Sequence, residues 1–331
     1  MIISKTPFRI SFFGGGTDYP VWYEDNPAAV LSTTIDKYCY ITIRYLPPFF
    51  EHKHRIVYSL IENVKTIKEI QHPVVRALLK YFKINKGVEI HHDGDLPARS
   101  GLGSSSSFTV GMLNSIHALN GKIASRNYLA KEAIHVEREI LKENVGSQDQ
   151  VAAAYGGFNK IIFNSDHKFR VDPVTVSKER INSLQQHLML IFTGFSRFAS
   201  EIAVDQIQNT SRKKPELAAI HSMVDDALEI LNSGDDISEF GKLLHETWQI
   251  KKKLSSKITN SSIDALYESA LRNGALGGKL LGAGGGGFML LFVTPEKRKQ
   301  LKEHLHNVLE VKFAFENNGS QIIYYNPQEI L

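Results

Sequence analysis

A chain of 331 residues exceeds the size at which one hydrophobic core usually keeps growing, so two domains are expected. Its 42% hydrophobic and 22% charged residues exclude a disordered or low-complexity chain. The formal charge of +4 is spread along the sequence, which does not indicate nucleic acid and suits an anionic small substrate. The densest basic cluster, Lys251, Lys252 and Lys253, falls in a helical pattern and reads as a solvated face.

In chain order, residues 8–13 read as a strand ending in a glycine turn, residues 38–45 as a β-rich run and residues 88–92 as a strand. Helical patterns follow at 104–119, 127–143 and 148–154, and residues 160–163 return to strand. The apolar run 188–192 opens the second half, followed by helices at 216–231, 237–253 and 263–272, a glycine-rich loop, a strand at 288–293, a helix at 295–309 and a strand at 322–325. The expectation is an α+β protein of two domains, 1–185 and 186–331. The lone Cys39 allows no intramolecular disulfide and fits a reducing cytosol. Neither an export signal nor an apolar run near the roughly 20 residues of a membrane span is visible, so the expected setting is cytoplasmic.

Three glycine-rich loops interrupt this pattern. PARSGLGSSSS, residues 97–107, lies between a strand and a helix. Gly101 and Gly103 let the backbone turn, and Ser104 or Ser105 falls where a helix has free N–H groups, so the stretch is a helix cap or an anion cradle. Gly14-Gly15-Gly16-Thr17-Asp18 follows strand 8–13 and is a tight turn or a place where a ligand approaches the backbone. Residues 279–287, KLLGAGGGG, contain a literal G-x-G-x-x-G, but a strand follows where a dinucleotide fold needs a helix, and Leu280 follows Lys279 where a Walker loop needs Ser or Thr.

Two carboxylates stand out. Glu137 lies at helical spacing from Ala133, Ile134, Ile140 and Leu141, on the apolar side of helix 127–143. Buried there, it needs a cationic partner, a raised pKa or a metal ion. Asp149 falls in a first helical turn, either as an ordinary helix-start acid or as a group that orients a hydroxyl beside an anion site.

Taken together, PFRISFFGGGTD, PARSGLGSSSS and KLLGAGGGGF, in this order and spacing, resemble the three motifs of the GHMP kinases, the superfamily of galacto-, homoserine, mevalonate and phosphomevalonate kinases. The resemblance implies a two-domain fold holding ATP and its acceptor in the cleft between the halves. It implies ATP phosphates on Gly101, Leu102, Gly103, Ser104, Ser105 and Ser106, and Mg²⁺ on Ser105 and Glu137. Asp149 is implied as catalytic base, Arg9 as the cation steadying the reacting groups, and Gly15, Gly16, Thr17 and Asp18 as acceptor contacts. Gly284, Gly285 and Gly286 would flank phosphates and acceptor from the second half.

Galactokinases carry Glu-His where this chain has Gly15-Gly16, and they lack Gly103. FRISFFGGGTDYPVWY and FTGFSRFAS resemble instead the branch acting on heptose 7-phosphate at its anomeric hydroxyl, with fucokinase-like enzymes as neighbours. That implies a cation for the sugar's own phosphate: Arg197 first, then Lys37, Arg44 and Lys160. The rival expectations are a kinase for an unphosphorylated sugar such as L-fucose and a catalytically silent sensor on the same fold.

Overall fold

In the computed structural model, which describes residues 1–194, 199–305 and 307–327, the spine of the first sheet is an antiparallel pair, β1 (Ile2–Phe13) and the long β2 (Ala28–Tyr45). The short helix α1 (Pro20–Tyr23) lies between them. β3 (His54–Val57) and β4 (Ile61–Val64) form a hairpin, and after α2 (Pro73–Tyr81) comes β5 (Val88–Gly94), parallel to β3 and antiparallel to the second half of β2. The helices α3 (Ser104–Leu119) and α5 (Gln148–Tyr155) pack on β1 and β2, with α4 (Arg126–His135) against both. β6 (Phe158–Phe163) joins the first half of β2, and β7 (Phe169–Pro173) joins β6.

The connecting helix α6 (Lys178–His187) leads into β8 (Leu188–Phe192), which opens a second sheet. α7 (Ala199–Asn209), α8 (Lys214–Asn232), α9 (Ser238–Lys251) and α10 (Ser261–Arg272) come before β9 (Ala275–Leu280). β10 (Phe288–Val293), α11 (Pro295–His304) and β11 (Leu309–Val311) complete an antiparallel sheet of order β11-β8-β10-β9. The last strands, β12 (Phe315–Glu316) and β13 (Gln321–Tyr325), cross back to pair with β2 and β1. The expected division after residue 185 thus falls inside α6, while the chain's end belongs to the first sheet.

Aromatic packing joins the two sheets. Phe12 and Phe13 of β1 meet Phe240 of α9 edge-on at 5.5 and 5.1 Å, and Phe240 in turn reaches Phe292 of β10 at 6.4 Å. α9 lies close on β9 because two small residues face each other: a Cβ on Gly277 would stand 1.9 Å from the Gly241 carbonyl oxygen. The same economy brings α3 down on the first sheet, where a Cβ on Gly111 would meet Thr6 Oγ1 at 2.9 Å.

The helix expected over 127–143 ends earlier. α4 stops at His135, and residues 136–140 form a π turn carrying Glu137. Lys279, expected in the third glycine loop, belongs to β9. Among the described residues no helix is long and apolar enough to cross a membrane.

Candidate active site

A cleft of about 1300 Å³ opens along the C-terminal end of β1, the start of α3 and the turn after β9. Arg9, Gly15, Gly16, Asp18, Gly101, Gly103, Ser104, Ser105, Ser106, Asp149, Gly284 and Gly286, all expected at a site, line it. Glu137 lies buried below the wall carrying Ser106, whose Oγ donates to Glu137 Oε2 at 2.9 Å.

The loop that leads into α3, expected to hold phosphates, is built from left-handed backbone. Arg99 (φ 59°), Gly101 (φ 85°) and Gly103 (φ 75°) turn the chain into α3, and no side chain caps that helix. Its first N–H groups and dipole therefore face the cleft, an arrangement suited to an anion. Leu102 does not face the cleft: it is fully buried, and its carbonyl accepts from Arg9 N at 3.0 Å. Ser107 lies deeper still, donating to Pro7 O at 2.9 Å where β1 bulges.

Arg9 forms the centre of the site. Its Nε and Nη2 donate to Asp149 Oδ1 and Oδ2 at 2.7 and 2.8 Å, and its Nη1 donates to Gly101 O at 2.7 Å. One guanidinium thus fixes both the acid and the loop. Asp18 is buried nearby, accepting from Gly16 N at 3.0 Å and Gln148 N at 3.2 Å. Burial first, and the charge of Asp149 second, push its carboxyl above the usual range.

In the first glycine loop the two expected readings belong to different residues. A Cβ on Gly14 would lie 1.9 Å from Ala29 O, and the Thr17 hydroxyl donates to Gly14 O at 2.8 Å, so these two build the turn. Gly15, Gly16 and Asp18 line the cleft. Thr17, expected as an acceptor contact, is fully buried and does not line it. In the third loop the Gly285 amide is spent on Ile258 O at 2.9 Å, leaving Gly284 and Gly286 on the cleft.

Glu137 is wholly buried, and burial pushes its pKa up to about 7. Besides Ser106, Gln150 Nε2 donates to its Oε2, while its Oε1 has no partner among the described residues. An orphaned carboxylate oxygen beneath serine hydroxyls fits a hard divalent cation that takes its remaining ligands from phosphates. The serine meeting Glu137 is Ser106; Ser105, expected there, is exposed to the cleft.

Two cleft residues escaped sequence reading. Lys251, assigned to a solvated face, is 8% exposed and donates to Leu280 O at 2.9 Å and Gly282 O at 2.6 Å. Burial, then Arg9, pull its pKa down to about 7. Lys279, equally buried, donates to Phe12 O at 2.7 Å and is held well below the usual lysine range by burial, Lys251 and Arg9. Lys251 continues the buried stripe of Phe240, Leu244 and Trp248 at helical spacing, the signal that identified Glu137.

The far end of the cleft is aromatic. Phe108 lies between His72, stacked at 4.7 Å, and His92, edge-on at 4.9 Å. Burial and then His92 lower the His72 pKa to about 4, leaving a flat neutral ring. Arg197 lies outside the described residues. Lys37, Arg44 and Lys160 are each engaged elsewhere, with Asp36, Glu89 and Asp225, and none lines the cleft.

Comparison with known proteins agrees with this geometry. The family model for the GHMP kinase N-terminal domain matches residues 65–157 and that for the C-terminal domain residues 217–311, together more than half of the chain. A D-glycero-alpha-D-manno-heptose 7-phosphate kinase of Campylobacter jejuni is 29% identical over 91% of both chains. A galactokinase of Pyrococcus furiosus is 25% identical over 95% of both. The crystal structure of a D-glycero-D-manno-heptose 1-phosphate kinase from Bacteriodes thetaiotaomicron shares the fold, with a TM-score of 0.79 at 24% identity, covering 98% of this chain and 99% of that one. With both domain models matched and the phosphate loop, Arg9 and the third glycine loop on one cleft, the chain belongs to the GHMP kinases and is an ATP-dependent sugar kinase that phosphorylates a hydroxyl.

Proposed function

We propose that the protein transfers the γ-phosphoryl group of ATP to the anomeric hydroxyl of D-glycero-D-manno-heptose 7-phosphate, giving the 1,7-bisphosphate. The observation that carries the chemistry is the Arg9–Asp149 pair, held against the uncapped start of α3. The likeness to the Campylobacter jejuni heptose 7-phosphate kinase supports the substrate. The product would supply nucleotide-activated heptose for a surface polysaccharide, and the proposed setting is the cytoplasm.

In this scheme the ATP phosphates rest on the first N–H groups of α3 and on Ser104 and Ser105, and the flat adenine lies at the aromatic end near Phe108 and His72. Glu137, with a cleft serine hydroxyl, Ser105 or Ser106, would hold Mg²⁺, which offsets charge on the β- and γ-phosphates. Asp18, Gly15 and Gly16 face the acceptor. The acceptor oxygen forms its bond to the γ-phosphorus as the bond from that phosphorus to the β,γ-bridging oxygen breaks. ADP leaves, and the hydroxyl proton passes to the Asp149 carboxylate. Each Asp149 oxygen keeps a lone pair beyond its one bond to Arg9, so the carboxylate, held in place by the guanidinium, can accept from the hydroxyl and orient it. Residues 1–185 provide the phosphate loop and carboxylates, and residues 186–331 the third glycine loop and Arg197, proposed to contact the sugar phosphate.

Coupled ADP release measured with heptose 7-phosphate, unphosphorylated heptose, L-fucose and galactose tests the proposal. Turnover should be greatest with the phosphorylated heptose. Preference for an unphosphorylated sugar would overturn the substrate assignment, and no turnover with any sugar would favour a silent sensor.

A further inference from the structure

Three buried cations face one cleft, and only one of them has an acid. Arg9 is neutralised by Asp149. Lys251 and Lys279 have no carboxylate within ion-pair distance among the described residues; each donates to backbone carbonyls instead. A buried ammonium held only by carbonyl dipoles is costly unless a negative charge joins it in the working state.

Lys251 is also mechanically connected to the chemistry. Its Nζ ties Leu280 O to Gly282 O at the start of the third glycine loop. Gly282 abuts the phosphate loop so closely that a Cβ there would lie 2.5 Å from Gly101 Cα. Gly101 O accepts from Arg9, and Arg9 holds Asp149. The clasp also runs through the backbone, since Phe288 N donates to Ser100 O at 3.0 Å. One ammonium therefore bears on the loop, the cation and the acid in sequence.

We propose that Lys251 is a positioning residue for phosphoryl transfer: an anion entering the cleft secures its charge, and the charged group clasps the third glycine loop onto the phosphate loop. The charged groups facing it are Arg9 from β1, Asp18 from the first loop and Lys279 from β9, with Asp149 behind Arg9. Asp18 is already held by the backbone amides of Gly16 and Gln148 and is not within ion-pair distance of Lys251, so the charge Lys251 lacks has to come from a ligand. With its pKa near 7 in the free protein, Lys251 is largely neutral at pH 8, and the anion draws a proton onto it.

The inference rests on the kinase reading only in that a phosphate-bearing ligand enters the cleft. The test is isothermal titration calorimetry of the native protein with AMP-PNP in EDTA at pH 8, in two buffers of different ionisation enthalpy. The expected result is net proton uptake by the native protein that disappears in K251R, whose charge does not titrate. In steady-state assays, kcat/KM for ATP should fall above neutral pH in the native enzyme, stay level to higher pH in K251R, and be at least tenfold lower at every pH in K251M. Thermal melts establish that the variants fold, and the native measurement stands without them. Binding without proton uptake, or uptake unchanged in K251R, overturns the inference alone; failure of AMP-PNP to bind would overturn the kinase reading of the cleft with it.

Discussion

Arg9 and Lys251 line the same cleft from different elements, β1 and α9, 4% and 8% exposed, yet their charges are compensated by different means. Arg9 belongs to the first sheet and forms a bidentate pair with Asp149, so its charge is settled before any ligand arrives. Lys251 belongs to α9 and is held by carbonyl oxygens, so its charge depends on what else enters. One wall is preorganised for chemistry; the other is completed by the ligand. The carboxylates divide similarly. Asp149 is paired, whereas Glu137 is buried with one oxygen unpartnered among the described residues.

Breaking the preorganised wall should have the largest effect. D149N keeps the side-chain shape but removes the acceptor charge, and it should lower kcat by about 10³-fold, within the span usual for a positioned acid or base, while nucleotide binding survives in calorimetry. Activity close to native would show that Arg9, not Asp149, is the essential member of the pair.

Glu137 comes next, because one of its oxygens has no partner among the described residues. E137Q should lower kcat/KM by roughly 100-fold, the scale of losing one electrostatic contact to the reacting charges. Folding raises this pKa from 4.5 to about 7, so the neutral form is the one that stabilises. That contribution is present below pH 4.5 and is lost as pH rises through 7. In EDTA, therefore, E137Q and the native protein should melt alike at pH 4, and E137Q should melt higher at pH 8. At about 1.4 kcal/mol per unit, the difference is on the order of 3 kcal/mol at most. Added Mg²⁺ should close that gap for the native protein only; equal melting at both pH values would place a cation on Glu137 within the chain itself.

The comparison also explains what the sequence could show. Elements built on local pattern were legible: helix 104–119 and strands 188–192 and 288–293 are where periodicity and apolar runs put them. Arg9, Asp149 and Glu137 were legible because a charge out of place in an apolar pattern, or beside a glycine loop, announces itself. Lys251 was hidden by its neighbours: two further lysines made the stretch look solvated, although the stripe through Phe240, Leu244 and Trp248 leads to it. The π turn at residues 136–140 was hidden for another reason: a single turn closed by Leu141 N donating to Val136 O has no hydrophobic periodicity of its own to set it apart from the helix before it.

The seam between the two walls offers a smaller perturbation. In G282A, a Cβ would lie 2.5 Å from Gly101 Cα at a left-handed residue (φ 70°), so one loop must shift. A strain of roughly 1–3 kcal/mol is expected, with kcat/KM for ATP falling about tenfold and KM for the sugar changing less. Equal loss in both would mean that the seam supports the whole cleft and not the nucleotide side.

The smallest effect is expected within the serine run, and it decides the register of the phosphate loop. Ser105 is exposed to the cleft, Ser106 bonds Glu137 at 2.9 Å, and Ser107 turns away to Pro7 O at 2.9 Å. S107A removes a buried hydrogen bond at a residue that does not line the cleft, so it should cost about 1 kcal/mol of stability with kcat unchanged. The acceptor left behind, Pro7 O, lies at a bulge of β1, just before Arg9, so a larger effect would have to pass through that strand. S105A should leave the melting temperature unchanged and weaken use of ATP, and S106A should change the melting temperature as well as weaken use of ATP, since its partner is the buried Glu137. If S107A lowered kcat as much as S105A, the helix would present a different face to the phosphates, one residue further round.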